Sequence, residues 1–319
     1  MKRKMSFQLQ HLTILKQRIA LGKKQLIYQK LLKGYQGETE MDRLFNFHAP
    51  KVAYLDDLTL KFCDTIVQVD KIALSTNTVL PFDMKFYEGE YELKNNDWYK
   101  NNFVMTHNIN EQLRRVIRVL QNAYLQAHAP FEVKGVLAFM NRAAQIKICD
   151  NIPETILQYH EIPAFLMQLK PTQNFQWEKI LQPFIIPSIR PKMPAVELES
   201  LKKGICCRKC QHFTLEEKRY YLLCKQCGHK EPKHSSYVRT VCEYGVLFAE
   251  KNLKRKKLEI FFGEDVNVHL LKRVLNQYFQ PTQARGHMAS YINKALLFPY
   301  WFEDQADHFK NLEKQTKWG

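Results

Sequence analysis

The sequence predicts an α/β fold with a central mixed sheet, followed by a small metal-binding module and a helical C-terminal region. Three observations predict it. Helical and strand-like periodicities follow one another as helix, strands, helix, strands within about 120 residues, the succession of a layered α/β domain. Two Cys-x2-Cys pairs stand close together in the second half of the chain. Beyond them, apolar residues return at helical spacing to the end.

The elements follow in order. Residues 6–33 read as one basic amphipathic helix, with Leu9, Leu12, Ile19, Leu26 and Ile27 at helical intervals and Lys and Arg between them. It is expected to end near Gly34, and GYQGETEMDRLF to open a second helix after Gly37. VAYLDDLTL, TIVQVDKIAL and TVLPFDMKFY read as strands. Pro81 inside the third cannot donate to a ladder, which predicts an edge position, a bulge, or a strand that begins only at Phe82. Residues 110–127 carry the clearest helical stripe, Leu113, Val116, Ile117, Leu120 and Tyr124. A buried-looking strand, VKGVLAFM, follows, with another at QIKIC. Seven of the thirteen prolines fall between 153 and 194, which excludes long regular elements and leaves short helices and an extended linker. The organisation expected is a basic helix over 1–33, an α/β domain over 34–150, a Pro-rich stretch over 151–203, a four-cysteine zinc ribbon over 204–234 and a helical region over 235–319.

Composition narrows the partners. Lys and Arg number 48 against 32 Asp and Glu, a formal net charge of +16. Such an excess favours an anionic partner, with a generally basic proteome as the plain alternative. No stretch approaches the roughly 18–20 apolar residues of a membrane span, and the first residues lack the apolar run of a signal peptide. Eight cysteines, mostly gathered in one segment, fit a metal site in a reducing, cytoplasmic setting.

Two strand-like runs each carry an aspartate, Asp70 and Asp83, with Lys85 two residues further on. Alternation puts Gln68, Asp70 and Ile72 on one face of their strand, and Asp83 with Lys85 on one face of the next. If the turn at Ser75–Thr78 brings the faces together, the carboxylates can share Mg²⁺ or Mn²⁺, and the lysine can stabilise charge on a phosphodiester. A solvated sheet face with an Asp–Lys pair explains the same pattern. Taken in order, GYQGETEMDRLF, VQVDKIAL, DMKFYEGEY and NINEQLRRVIRVL resemble the nuclease-related domain (NERD) family, which is similar to the restriction-endonuclease-like PD-(D/E)xK fold. The resemblance spans roughly residues 30–150. It implies a metal-binding role for Asp70, the (D/E)xK pair in Asp83 and Lys85, and site roles for Glu38, Gln68 and Gln112. Asp83 stands where the family usually has Glu, and Asn108-Ile109 replaces its usual Asn-Pro. Glu38 is also explained as a helix N-terminal acid, and Tyr87 and Glu90 as parts of an edge strand and turn.

Cys207-x2-Cys210 and Cys224-x2-Cys227, with thirteen residues between the pairs, have the spacing of a structural Zn²⁺ site resembling a zinc ribbon. Cys206 offers a competing x3 spacing to Cys210. His212, His229 and His234 are surplus ligands, and Cys63, Cys149 and Cys242 read as buried thiols. Ten Lys or Arg stand against three Glu over 201–240, with Phe213, Tyr220, Tyr221 and Tyr237 among them. Cations interleaved with aromatics suit nucleic acid, although the aromatics could equally pack the module. In KNLKRKKLEIFFGEDVNVHLLKRVLNQYF, two helices about Gly263 form either a groove-reading pair or a packed hairpin. The tail KNLEKQTKWG reads as frayed. The expected function is a cytoplasmic, metal-dependent nuclease acting on nucleic acid, DNA ahead of RNA. The rival reading is an inactive nucleic-acid-binding protein on the same scaffold. The N-terminal helix also offers a surface for a homodimer.

Overall fold

The computed structural model describes residues 3–172, 176–188, 193, 195–282 and 289–315. The chain packs as two compact units, one of residues 30–189, the other of the residues up to 29 together with those from 190 onward.

The first departure from expectation is at the N-terminus. Two helices form, α1 (Phe7–Arg18) and α2 (Lys24–His48), and α2 runs unbroken through Gly34 and Gly37. The break falls earlier because Ile19 turns to extended backbone and Gly22 takes a φ of 53°, which a glycine adopts without strain. Gly37 has a packing reason instead: a Cβ there would lie 3.2 Å from Phe86 Cδ2 and 3.3 Å from Met140 Cβ.

In the first unit the strands are β1 (Ala53–Phe62), β2 (Thr65–Ser75), β3 (Thr78–Lys85), β4 (Gly89–Lys94), β5 (Asp97–Lys100) and β6 (Phe103–Val104). After α3 (Glu111–Gln126) come β7 (Glu132–Val133), β8 (Val136–Phe139), β9 (Ala144–Ile148) and β10 (Thr155–Leu157). Two short helices, α4 (Ile162–Gln168) and α5 (Gln176–Leu181), precede β11 (Ile185–Ile186). The main sheet has the order β10-β8-β3-β2-β1-β11, with β7 also on β3, and a second sheet runs β6-β5-β4-β9. The main sheet is mixed, since β3 is antiparallel to β2 and parallel to β7 and β8.

Two cores sandwich this sheet. On one face Met41, Leu44 and Phe45 of α2 and Ile162 and Leu166 of α4 pack on Ala73, Leu80, Phe82 and Val136. On the other, Val116, Val119, Leu120 and Ala123 of α3 and Trp177 and Leu181 of α5 pack on Leu60, Ile72, Leu74 and Val79. Gly135 admits α3 closely, because a Cβ there would lie 2.6 Å from Ile117 Cδ1. A third cluster, Tyr91, Trp98, Leu113, Leu137 and Phe139, joins α3 to the second sheet.

Pro81 is not at an edge. It is buried in β3 opposite Ile72, with neighbouring strands on both sides. Its missing N–H falls where the parallel ladder is interrupted, between Val79↔Val133 and Phe82↔Val136. A central strand accepts proline at such a gap because no ladder donor is required there.

The second unit is built on α6 (Lys233–Phe248), buried along nearly its whole length. Before it stand the hairpin strands β12 (Leu215–Glu217), β13 (Tyr221–Cys224) and β14 (Lys230–Pro232). After it come β15 (Asn252–Lys254), α7 (Arg255–Phe262), α8 (Val268–Tyr278), β16 (Ser290–Ile292), α9 (Phe298–Trp301) and α10 (Ala306–Gln315). The β15–β16 pair stands in a region whose periodicity reads as wholly helical. The two helices about Gly263 form as expected, and Leu258, Phe261, Leu271 and Val274 of the pair are buried. The tail is helical through Gln315, and residues 316–319 lie outside the described residues. Leu9, Leu12, Ile14 and Leu15 of α1 are buried within their own unit, and Leu26 and Ile27 of α2 are exposed. A buried ion network joins α1, β14 and α6: Arg18 pairs with Glu243 at 2.9 Å, and Arg239 with both Glu243 and Glu231. Among the described residues no helix is long and apolar enough to cross a membrane.

Candidate active site and cysteine centre

The β2–β3 ladder runs from Ser75↔Thr78 to Lys71↔Phe82 and stops there. One more step of the same register would set Asp70 opposite Asp83. Instead the strands part, and Asp70 Oδ2 accepts a hydrogen bond from the Met84 N–H at 3.1 Å. The β1–β2 ladder is also broken at this level: Asp56↔Lys71 and Leu58↔Val69 pair, while Asp57 between them has a φ of 53°. Aspartate tolerates that left-handed geometry better than most residues. The face alternation expected for β2 slips at the same place. Val67 and Val69 pack in one core with Ile72 and Leu74, so Ile72 does not share a surface with Gln68 and Asp70.

The consequence is a small cavity lined by Gln68, Asp70, Asp83 and Gln112 against Phe82 and Leu113. Its volume of about 10 Å³ holds a single water-sized occupant. Asp83 is buried; its Oδ1 meets Lys85 Nζ at 2.8 Å, and its Oδ2 is buried without a hydrogen-bond partner. Lys85 Nζ also reaches Gln112 Oε1 at 3.5 Å, so the first turn of α3 steadies the lysine. Burial pushes the Asp70 carboxyl up to about 6, with the negative charges of Asp83 and Asp57 adding to the rise and the Met84 N–H opposing it. Burial also raises Asp83, partly offset by Lys85. Two carboxylates that resist ionisation together, one with an orphaned oxygen, form a hard-oxygen set that suits a divalent cation.

Five of the six expected residues are thus brought together: Gln68, Asp70 and Asp83 line the cavity with Gln112, and Lys85 joins through Asp83. Glu38 is half-buried in the middle of α2, not at a helix N-terminus. The contact of Gly37 with Phe86 lays that turn of α2 beside the outgoing end of β3. Glu38 does not complete a three-acid cluster with the aspartates. Among the described residues, the group of three or more His, Cys, Asp or Glu placed to hold a metal is the cysteine set.

Sequence reasoning passed over Asp57, whose signal is the Asp56-Asp57 doublet inside a strand-like run. It also passed over Lys71, a fully buried lysine paired with Asp56 at 2.5 Å and Asp42 at 3.0 Å. Lys71 Nζ lies 3.6 Å from the Tyr54 ring centroid and 4.8 Å from that of Phe45. This knot ties α2, β1 and β2 together next to Asp70. Asn108-Ile109 has a structural reading: Asn108 Oδ1 accepts from the Asn110 N–H, and Ile109 is buried in the cluster around Trp98. Tyr87 stacks on Tyr91 with ring centroids 5.5 Å apart.

In the second unit Cys207, Cys210, Cys224 and Cys227 converge, their sulfurs all within 4.8 Å of one another. The two knuckles repeat one geometry. Gln211 N–H donates to Cys207 O and Gly228 N–H to Cys224 O, each at 2.9 Å, with φ of 63° and 68° at Gln211 and Gly228. Cys207 N–H then donates to His212 O, and Cys224 N–H to His229 O, so both histidines serve through their backbones. Cys206 points away from the set: Arg239 Nη2 donates to its carbonyl, and its thiol meets Gln17 Oε1. Of the three thiols expected to be buried, Cys242 is, whereas Cys63 and Cys149 are exposed. Cys63 sits at a positive φ in the β1–β2 turn, and Cys149 lies on the surface against Glu92.

The family model described as nuclease-related domain matches residues 33–140, a span that contains all six candidate residues and ends just after β8. No curated protein and no solved structure gave a match. Residues 33–140 of this chain are therefore similar to the nuclease-related domain, a likeness that spans about a third of the sequence.

Proposed function

We propose that the chain is a metal-dependent nuclease that hydrolyses phosphodiester bonds of nucleic acid, with DNA as its substrate. One observation carries this reading: Asp83 Oδ2 is buried without a partner beside Asp70, where β2 and β3 part. A buried carboxylate oxygen left unsatisfied is costly unless something else compensates it, and Mg²⁺ fits this oxygen set. A divalent cation there supplies Lewis-acid polarisation of the phosphodiester and an acidified water. The chain's own residues do the rest. Asp70 and Asp83 hold the cation, Lys85 presents its ammonium to the scissile phosphate, and Gln112 fixes the lysine's direction.

The cysteine set suits structural Zn²⁺. Tetrahedral Zn–S bonds put sulfurs about 3.8 Å apart, and the Cys207–Cys227 and Cys210–Cys224 sulfurs stand 3.7 and 3.5 Å apart. Four thiolates leave no open position for catalysis, so this metal shapes the ribbon. Four cysteines gathered as a metal set, and four more outside any disulfide, suit a reducing, cytoplasmic setting. The test is incubation of the purified chain with single- and double-stranded DNA and RNA, with Mg²⁺, with Mn²⁺ and without either. Metal-dependent cutting of DNA is expected; binding without cutting under every condition would favour the inactive scaffold instead.

A further inference from the structure

We propose that the cleft between the zinc-ribbon knuckles and α10 is a docking site for the phosphate backbone of nucleic acid, in which Glu313 competes with phosphate for Arg208. This rests on the nuclease reading and adds where the substrate is gripped. A cleft of about 640 Å³ is lined by Arg208 and Lys209 of the first knuckle and by His229 and Lys230 beyond the second. Two acids also line it. Glu231 is buried and committed to Arg239, so its charge is already neutralised. Glu313, on α10, places Oε1 2.6 Å from Arg208 Nη1. The cleft therefore already holds one oxyanion, supplied by the chain itself.

A phosphate can displace that carboxylate. Both partners of the pair are close to half exposed, at 44% and 46% of the side chain. Exposed ion pairs are weak, whereas each phosphate neutralised also releases condensed counterions. The cleft is edged by an aromatic surface, since Lys230 Nζ stands 5.0 Å from the Tyr221 ring centroid. Cation next to ring is the combination that tracks a single strand and stacks a base.

The experiment measures binding of a fluorescein-labelled oligonucleotide of about 20 nucleotides, single-stranded and as duplex, in magnesium-free buffer over a range of salt. The Arg208→Ala/Lys209→Ala/Lys230→Ala variant is compared with the unmutated chain, with zinc content and thermal unfolding matched. The expected result is roughly tenfold weaker binding of the single strand and a salt slope shallower by about 2. Glu313→Gln should bind about two- to fivefold tighter, while Asp307→Asn on the same helix leaves affinity unchanged. Equal tightening by Asp307→Asn would reduce the effect to bulk charge and overturn the competition by Glu313. An unchanged affinity and slope in the triple variant would overturn the cleft. If that variant also cuts DNA with KM unchanged, the cleft fails and the nuclease reading stands. If it cuts with KM raised and kcat kept, both are supported. If the unmutated chain neither binds nor cuts, both fail.

Discussion

Asp70 links stability to function at the scale of one side chain. Its carboxyl titrates near 6 in the fold against about 3.8 when unfolded, so the folded state favours the protonated form. Its contribution to stability is therefore fully present below about pH 4 and is lost as pH rises through 6. Asp70→Asn keeps the shape and removes the charge. In magnesium-free buffer at pH 7.5 it should raise unfolding stability by on the order of 2 kcal/mol, and the gain should vanish near pH 3.5. Urea titrations at the two pH values check this, without chelators that would strip the cysteine site. The same variant should lose metal-dependent cutting, the opposed outcome expected where a fold carries strain for its function. Lys71 makes the contrasting case, a buried cation with two carboxylates and two rings around it. Lys71→Ala should cost about 2–4 kcal/mol in the same titration, less if Asp56 and Asp42 rehydrate, and Lys71→Met should recover part of the loss.

At the scale of elements, the site depends on how α3 and α2 approach the sheet. Gly135→Ala puts a methyl 2.6 Å from Ile117 Cδ1 and 3.0 Å from Leu113, one residue along α3 from Gln112. It should cost about 1–3 kcal/mol by overpacking and weaken cutting by moving Gln112 away from Lys85. Thermal unfolding and single-turnover rates read the two effects separately. Strands β1, β2 and β3 and helix α3 were legible because each has a strong local pattern and a turn or cap at its ends. The unbroken α2 was not, because glycine reads as a stop, whereas at Gly37 it permits close contact with Phe86 and Met140. Pro81 misled for a similar reason: a missing donor is harmless where the β7–β8 partner is itself interrupted. The slip of faces along β2 leaves no local signature, since it arises from strands parting at Asp70 and from Asp57 on the next strand.

At the scale of the whole molecule, the chain joins a unit whose residues 33–140 match the nuclease-related domain to one organised around α6 and a four-cysteine ribbon. The four ribbon cysteines were legible, spacing alone distinguishing Cys207 from Cys206, because knuckle geometry is local, whereas the exposure of Cys63 and Cys149 has no such local signal. The Asp70–Asp83 pair was legible only in part: the aspartates and Lys85 could be named, but their convergence depends on ladder register between strands. Removing the ribbon metal with a strong chelator should unfold the β12–β14 hairpins and lower the melting temperature of the second unit, read by circular dichroism with a zinc-release dye. The proposed hold of Asp70 and Asp83 on a catalytic metal carries the most weight. Its most direct test is the rate of cutting of labelled DNA against Mg²⁺ concentration, for the unmutated chain and for Asp83→Ala at equal folded fraction. Saturable, magnesium-dependent cutting is expected, falling at least about a hundredfold in the variant, the scale on which catalytic groups act. Cutting that survives in Asp83→Ala with the same magnesium dependence would contradict it.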